Sequence, residues 1–163
     1  MTQKKIESNN TTRCAIYTRK ATTDDSCDEC NSLQVQRERC EAFVKSRTSE
    51  GWVINSVYYD DDGVSSSSNE CPSFQRMLDD IYAGRVDYVI VSSLCRLTRS
   101  LTSLVDIIEF FDMHEVGFVA VVQQFDTKDD LGREALNSIK GHVKVVNATR
   151  SMERGPEWLP YTQ

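Results

Sequence analysis

The chain has 163 residues, of which 39% are hydrophobic and 27% charged, and a formal net charge of −6. That length suits one core and is short for two domains, and the negative balance excludes a surface that grips nucleic acid all round, because duplex affinity comes from Lys and Arg displacing counterions. No apolar run reaches the ~20 residues of a membrane span and Met1 to Thr12 has no apolar signal core, so a soluble, cytoplasmic chain without membrane contact is expected.

Residues 1–12 are polar apart from one Ile and read as a mobile arm. Cys14-Ala15-Ile16-Tyr17 is a first strand, and the polar stretch from Lys20 to Asn31 a loop. Ser32 is placed to cap a helix carrying Leu33, Val35, Cys40, Phe43 and Val44, which Gly51 can end. Trp52 to Tyr59 predicts a second strand, closed by Asp60-Asp61-Asp62-Gly63 and a serine-rich loop expected to be mobile. Pro72 opens a helix to Ala83, with Phe74, Met77, Leu78 and Ile81 on one face and Gly84 as its stop.

A third strand follows over Val86 to Val91, then a loop over Leu94 to Ser100 and a long amphipathic helix through Leu101, Leu104, Val105, Ile107, Ile108 and Phe111. A fourth strand runs from Phe118 to Val122, and a last helix opens near Asp129 or Asp130 with Leu136, Ile139, Val143 and Val146 at near-helical spacing. Strands alternating with helices predict a three-layer α/β domain: a mostly parallel sheet of four to five strands with helices on both faces. The domain is expected over 13–148, with an irregular tail over 149–163 and no DNA-binding module.

Six cysteines in a chain without export signals predict reduced thiols. Cys27-Asp28-Glu29-Cys30 has the spacing of a metal knuckle, but no second such pair supplies the remaining zinc ligands. Asp60-Asp61-Asp62 reads as an acidic turn rather than a magnesium site. No metal and no cofactor are expected.

Three pieces carry chemistry: Tyr17-Thr18-Arg19-Lys20-Ala21-Thr22, Ser32-Leu33-Gln34-Val35-Gln36-Arg37 and Leu94-Cys95-Arg96-Leu97-Thr98-Arg99-Ser100. The first and third follow strands, where open α/β sheets place their ligands. Arg96 and Arg99 alone would read as a solvated basic face. In their order and spacing the pieces resemble the catalytic domain of the resolvase/invertase family, the serine recombinases, above all its large phage-type members. The likeness runs from about Arg13 to Val143 and takes in Asp61-Asp62-Gly63-Val64-Ser65, Pro72 with its helix, and Gln123 to Thr127 before Gly132-Arg133.

The resemblance implies a site where a serine hydroxyl attacks a DNA phosphodiester to form a phosphoserine link while arginines hold the phosphate. Guanidinium forks suit the charge that phosphoryl transfer spreads over non-bridging oxygens. Arg19, Arg96 and Arg99 match family arginines, and Gln36 matches the family glutamine. Ala21, however, stands at the nucleophile's position, Cys95 at that of the family aspartate, and Cys71 at that of the arginine before the proline. A methyl group forms no phosphoserine, and removal of a covalent nucleophile costs about a million-fold in rate. Thr22 is no substitute, because neighbouring side chains on a strand point to opposite faces.

The expectation is a serine-recombinase-like protein of a mobile element that has lost DNA cleavage. It would be either a relic that binds DNA weakly or through a partner, or a non-catalytic subunit forming homo- or hetero-oligomers with an active recombinase. Retained activity through another nucleophile is the third reading. Ser138, Lys140, Gly141, His142 and Lys144 interrupt the apolar face of the last helix, which the family uses for dimerisation.

Overall fold

A computed structural model describes residues 10–20, 32–63 and 71–148. The expectations placed on the N-terminal arm, Ala21, Thr22, the Cys27 and Cys30 pair, the serine-rich loop and the tail fall on residues outside these. The described elements are β1 (Thr12–Lys20), α1 (Leu33–Ser46), a 3-10 turn (Thr48–Glu50), β2 (Trp52–Ile54), β3 (Tyr59–Asp62), α2 (Pro72–Tyr82), β4 (Tyr88–Val91), α3 (Leu94–Leu97), α4 (Leu101–Met113), β5 (Gly117–Ala120), β6 (Phe125–Asp126) and α5 (Asp130–Ala148).

The sheet runs β2-β1-β4-β5-β6, with β3 also paired to β1. Every pairing is parallel except β5 with β6. Alternation along the strands sorts side chains onto two faces. Ala15, Tyr17, Val89, Val91, Phe118 and Ala120 pack under α2 and α4, joined by Leu136 of α5. Cys14, Ile16, Ile90 and Val119 face the other way, onto Cys40 and Val44 of α1. These are the three layers the sequence predicts, and β1, covered on both faces, is buried from Cys14 to Arg19.

Several boundaries differ from the sequence reading. The expected second strand is two, because β1 pairs residue n with n+40 along β2 and with n+42 along β3. Two extra residues therefore bulge from this edge between Ile54 and Tyr59. The shift is even, so alternation survives and Tyr59 still lies on the Tyr17 face. Ser32 precedes α1, yet its side chain makes no capping hydrogen bond.

The third strand starts at Tyr88 rather than Val86, and the fourth ends at Ala120 rather than Val122. Beyond it the chain turns through Gln124, in the left-handed region at φ 51°, into β6, a strand the sequence reading lacks. Part of the expected Leu94 to Ser100 loop is the single helical turn α3.

Candidate functional site

β1 connects to β2 and β3 on one side, and the chain then crosses to β4 on the other. The strand order thus reverses between β1 and β4, and the crevice beyond the carboxyl ends of two such strands is where doubly wound sheets bind ligands. Arg19 lies near the end of β1 and the α3 turn follows β4, so two of the three predicted pieces meet across this crevice.

They meet through hydrogen bonds. Arg19, only 3% exposed, donates from Nε to the Arg96 carbonyl at 3.0 Å and from Nη2 to the Cys95 carbonyl at 2.8 Å. A buried guanidinium requires such acceptors, and carbonyls at the end of a short turn require donors. Arg19 therefore spends these two donors on the backbone of α3. The turn itself is closed by Arg96 N–H to the Ser93 carbonyl at 3.0 Å and Thr98 N–H to the Leu94 carbonyl at 3.2 Å.

The second piece joins the first from α1. Gln36, 1% exposed, accepts the Arg19 N–H on Oε1 at 3.2 Å and donates from Nε2 to the Arg19 carbonyl at 3.0 Å. Arg96 is half-buried, while Arg99 and Cys95 are exposed. Ser100 accepts the Ser103 N–H at 3.3 Å, so Arg99 immediately precedes a capped start of α4. Cys95 Sγ lies 3.2 Å from Ser93 Oγ.

Cys71 stands at the start of α2, half-buried against the larger core cluster. Ala21 follows Lys20 directly in the chain, and Lys20 pairs with Asp62 as the last residue of β1.

Sequence reasoning took the acidic run for a turn and missed what it holds. Asp61, 2% exposed, accepts Tyr17 Oη at 2.9 Å and the Ser73 and Phe74 amides at 2.9 and 3.1 Å. It thereby fastens the positive end of α2 to β1. Burial first, and the Asp61 charge second, push the Tyr17 phenol above its ordinary pKa, so it donates this bond throughout the physiological range. Asp60 accepts Thr18 Oγ1 at 2.5 Å and pairs with Arg37. The hint available in the sequence was the position of these carboxylates at a strand end opposite β1.

Among the described residues no group of three or more His, Cys, Asp or Glu side chains is placed to hold a metal, and no helix is long and apolar enough to cross a membrane.

The family model described as "Resolvase, N terminal domain" matches residues 14–153. Among solved structures, the N-terminal catalytic domain of TP901-1 integrase is 27% identical with a TM-score of 0.71, the match covering 85% of this chain and 98% of that one. A resolvase family site-specific recombinase from Streptococcus pneumoniae shares the fold at 24% identity and a TM-score of 0.64, over 86% of this chain and 93% of its own. The C-terminal catalytic domain of ISC1926 TnpA, an IS607-like serine recombinase, is 19% identical with a TM-score of 0.51, covering 84% and 82%. A search of curated protein sequences returns no significant match. With a reversed strand order, an arginine bridge across it and a family match over nearly its whole length, the chain belongs to the resolvase family of serine recombinases as a member carrying that family's catalytic-type domain.

Proposed function

We propose that residues 13–148 form a serine-recombinase catalytic-type domain that holds a DNA phosphodiester without cutting it. The observation that carries this reading is Ala21, a methyl side chain at the position of the family nucleophile, one residue beyond β1. Arg96 and Arg99 supply the cationic surface at the crevice, and Arg19 with Gln36 keeps that surface in place. Cys95 and Cys71 stand where the family has an aspartate and an arginine, so groups that would assist proton transfer and phosphate binding are missing as well. Cofactors and metal ions play no part in this reading.

The test is covalent trapping on supercoiled DNA with this protein and its Ala21→Ser variant, at low and moderate salt because phosphate contacts are screened. The expected result is salt-sensitive binding that Arg99→Ala weakens, and no protein–DNA adduct from the natural chain. An adduct formed by the natural chain refutes the loss of cleavage. An adduct formed only by Ala21→Ser shows that the serine alone separates this domain from an active one.

A second reading, a non-catalytic subunit pairing with an active recombinase, is favoured by the care with which the site's frame is kept. Arg19, Gln36, Thr18 and Asp61 are all buried and hydrogen-bonded although the nucleophile is gone. Co-purification of this chain with an active family member, and a change in that enzyme's recombination rate, are the results this reading requires.

A further inference from the structure

The α3 turn is held from two sides. On the β1 side, Arg19 takes the Cys95 and Arg96 carbonyls. On the far side stands Gln123, in the turn between β5 and β6, which uses both ends of its amide. Its Oε1 accepts the Leu94 N–H at 3.2 Å, and its Nε2 donates to Ser93 Oγ at 3.1 Å.

The Leu94 amide is a first-turn donor with no partner inside its own helix, and Ser93, at the capping position, makes no side-chain capping bond. Gln123 supplies that cap from another segment of the chain. The backbone on either side of it is fixed by the Val122 N–H to the Ser92 carbonyl at 2.9 Å and the Gln124 N–H to the Val121 carbonyl at 3.2 Å. The link therefore runs from the sheet into the turn that carries Arg96.

We propose that Gln123 is a positioning residue for phosphate binding: it orders the Leu94–Leu97 turn so that Arg96 meets a phosphodiester in a prepared geometry. This rests on the reading of the arginines as phosphate ligands. An arginine on a loosened turn still pairs with phosphate, but each binding event must then order the turn. Gln123 thus acts on affinity without adding a phosphate contact.

The test is fluorescence anisotropy with a short labelled duplex of arbitrary sequence over a salt series, alongside thermal melting, on the intact chain and three variants. Gln123→Met, of similar length but with no donor and only a weak thioether acceptor, is expected to weaken binding roughly fivefold, the worth of about one neutral hydrogen bond. Its melting temperature should fall by no more than a few degrees, the worth of one lost cap, and the slope of affinity against salt should stay that of the natural chain. Arg96→Ala should weaken binding and lower the salt slope by about one, because a phosphate contact is gone. Val122→Ala, an exposed neighbour in the same turn, should bind as the natural chain does.

Binding unchanged in Gln123→Met but weakened in Arg96→Ala overturns the positioning role and leaves the phosphate reading intact. Binding unchanged in Arg96→Ala overturns the phosphate reading and the inference with it. A lowered salt slope in Gln123→Met makes Gln123 a direct contact, and an equal loss in Val122→Ala makes the effect a general loosening of the loop; either refutes the proposal.

Discussion

Replacing Arg19 by Met separates the two things an arginine in this crevice can do. The substitution keeps much of the side chain's length and apolar stem, but removes the donors at 3.0 and 2.8 Å from the Arg96 and Cys95 carbonyls. Hydrogen bonds from charged donors are worth about 1.5–3 kcal/mol each, and part of that loss returns because no charge need be buried any longer. A net loss of about 2–4 kcal/mol follows, which in a domain of this size lowers Tm by roughly 5–12 °C. Urea unfolding followed by circular dichroism gives the free energy, and a thermal melt gives the shift. Arg99→Met is the control: Arg99 is exposed, and such substitutions stay within about 0.5 kcal/mol. If Arg19→Met costs less than about 0.5 kcal/mol, its donors do not brace the turn, and the argument that Arg19 serves the backbone fails.

Other outcomes follow from packing and charge. A Cβ on Gly132 would lie 1.9 Å from the Asp126 carbonyl oxygen and 2.7 Å from its carbon, so α5 cannot sit against β6 with Ala there. Gly132→Ala should cost about 1–3 kcal/mol in urea unfolding, whereas Gly141→Ala, with open space around it in the same helix, should gain about 0.5–1 kcal/mol. Burial pushes the Cys14 and Cys40 thiols up to about 12, so iodoacetamide on the native protein should label the exposed Cys95 well before Cys14 and Cys40, which it should reach only after denaturation, as peptide mass spectrometry would show. Asp87 accepts the Arg13 Nε and N–H at 2.9 and 2.7 Å, and the Arg13 side-chain bond is the main cause holding its carboxyl below the ordinary pKa. Its contribution is therefore complete above the unfolded value near pH 4 and is lost as pH falls through the lower folded value. Because both partners are more than a third exposed, Asp87→Asn should cost at most about 1 kcal/mol at neutral pH and nothing in strong acid.

The layers were legible because Cys14 to Tyr17 and Tyr88 to Val91 are unbroken apolar runs, as strands covered on both faces require, and helical spacing in α1, α2 and α4 supplies what covers them. The break between β2 and β3 was not. Val57, Tyr58 and Tyr59 favour strands as strongly as Trp52 to Ile54 do, and only pairing with β1 shows the two-residue register shift. The turn into β6 was equally silent, since Gln124 adopts φ 51° without the Gly or Asn that announces such a conformation.

For the candidate site, the motif pieces named residues that the fold brings together, Arg19 and Gln36 with the α3 turn, but a motif does not say which way a donor faces. Nothing in the sequence tells that Arg19 also donates to the α3 carbonyls. Gln123 carries no signal of its own, because its task depends on an amide left open in a segment about thirty residues earlier in the chain.

Gln36 has a consequence for how the sheet can open at all. The Arg13 carbonyl accepts from Asp87 on the β4 side, and the Cys14 and Lys20 carbonyls accept from Asn55 and Gly63 on the opposite side, so the odd-numbered residues of β1 present their backbone toward β4. β4 stays in register with β1 only as far as Ile16 and Ile90. At Arg19 the place of the departed strand is taken by one carboxamide, which offers an acceptor and a donor as a peptide group would. Gln36 is in effect a strand one residue long. It lets β4 part from β1 without leaving a raw edge, and the gap it closes from behind is the one across which Arg19 reaches the α3 turn. Glutamate in its place would match the shape but lose the donor, leaving the Arg19 carbonyl buried and unanswered. The parting of two strands, and with it the crevice, thus depends on a side chain that imitates backbone.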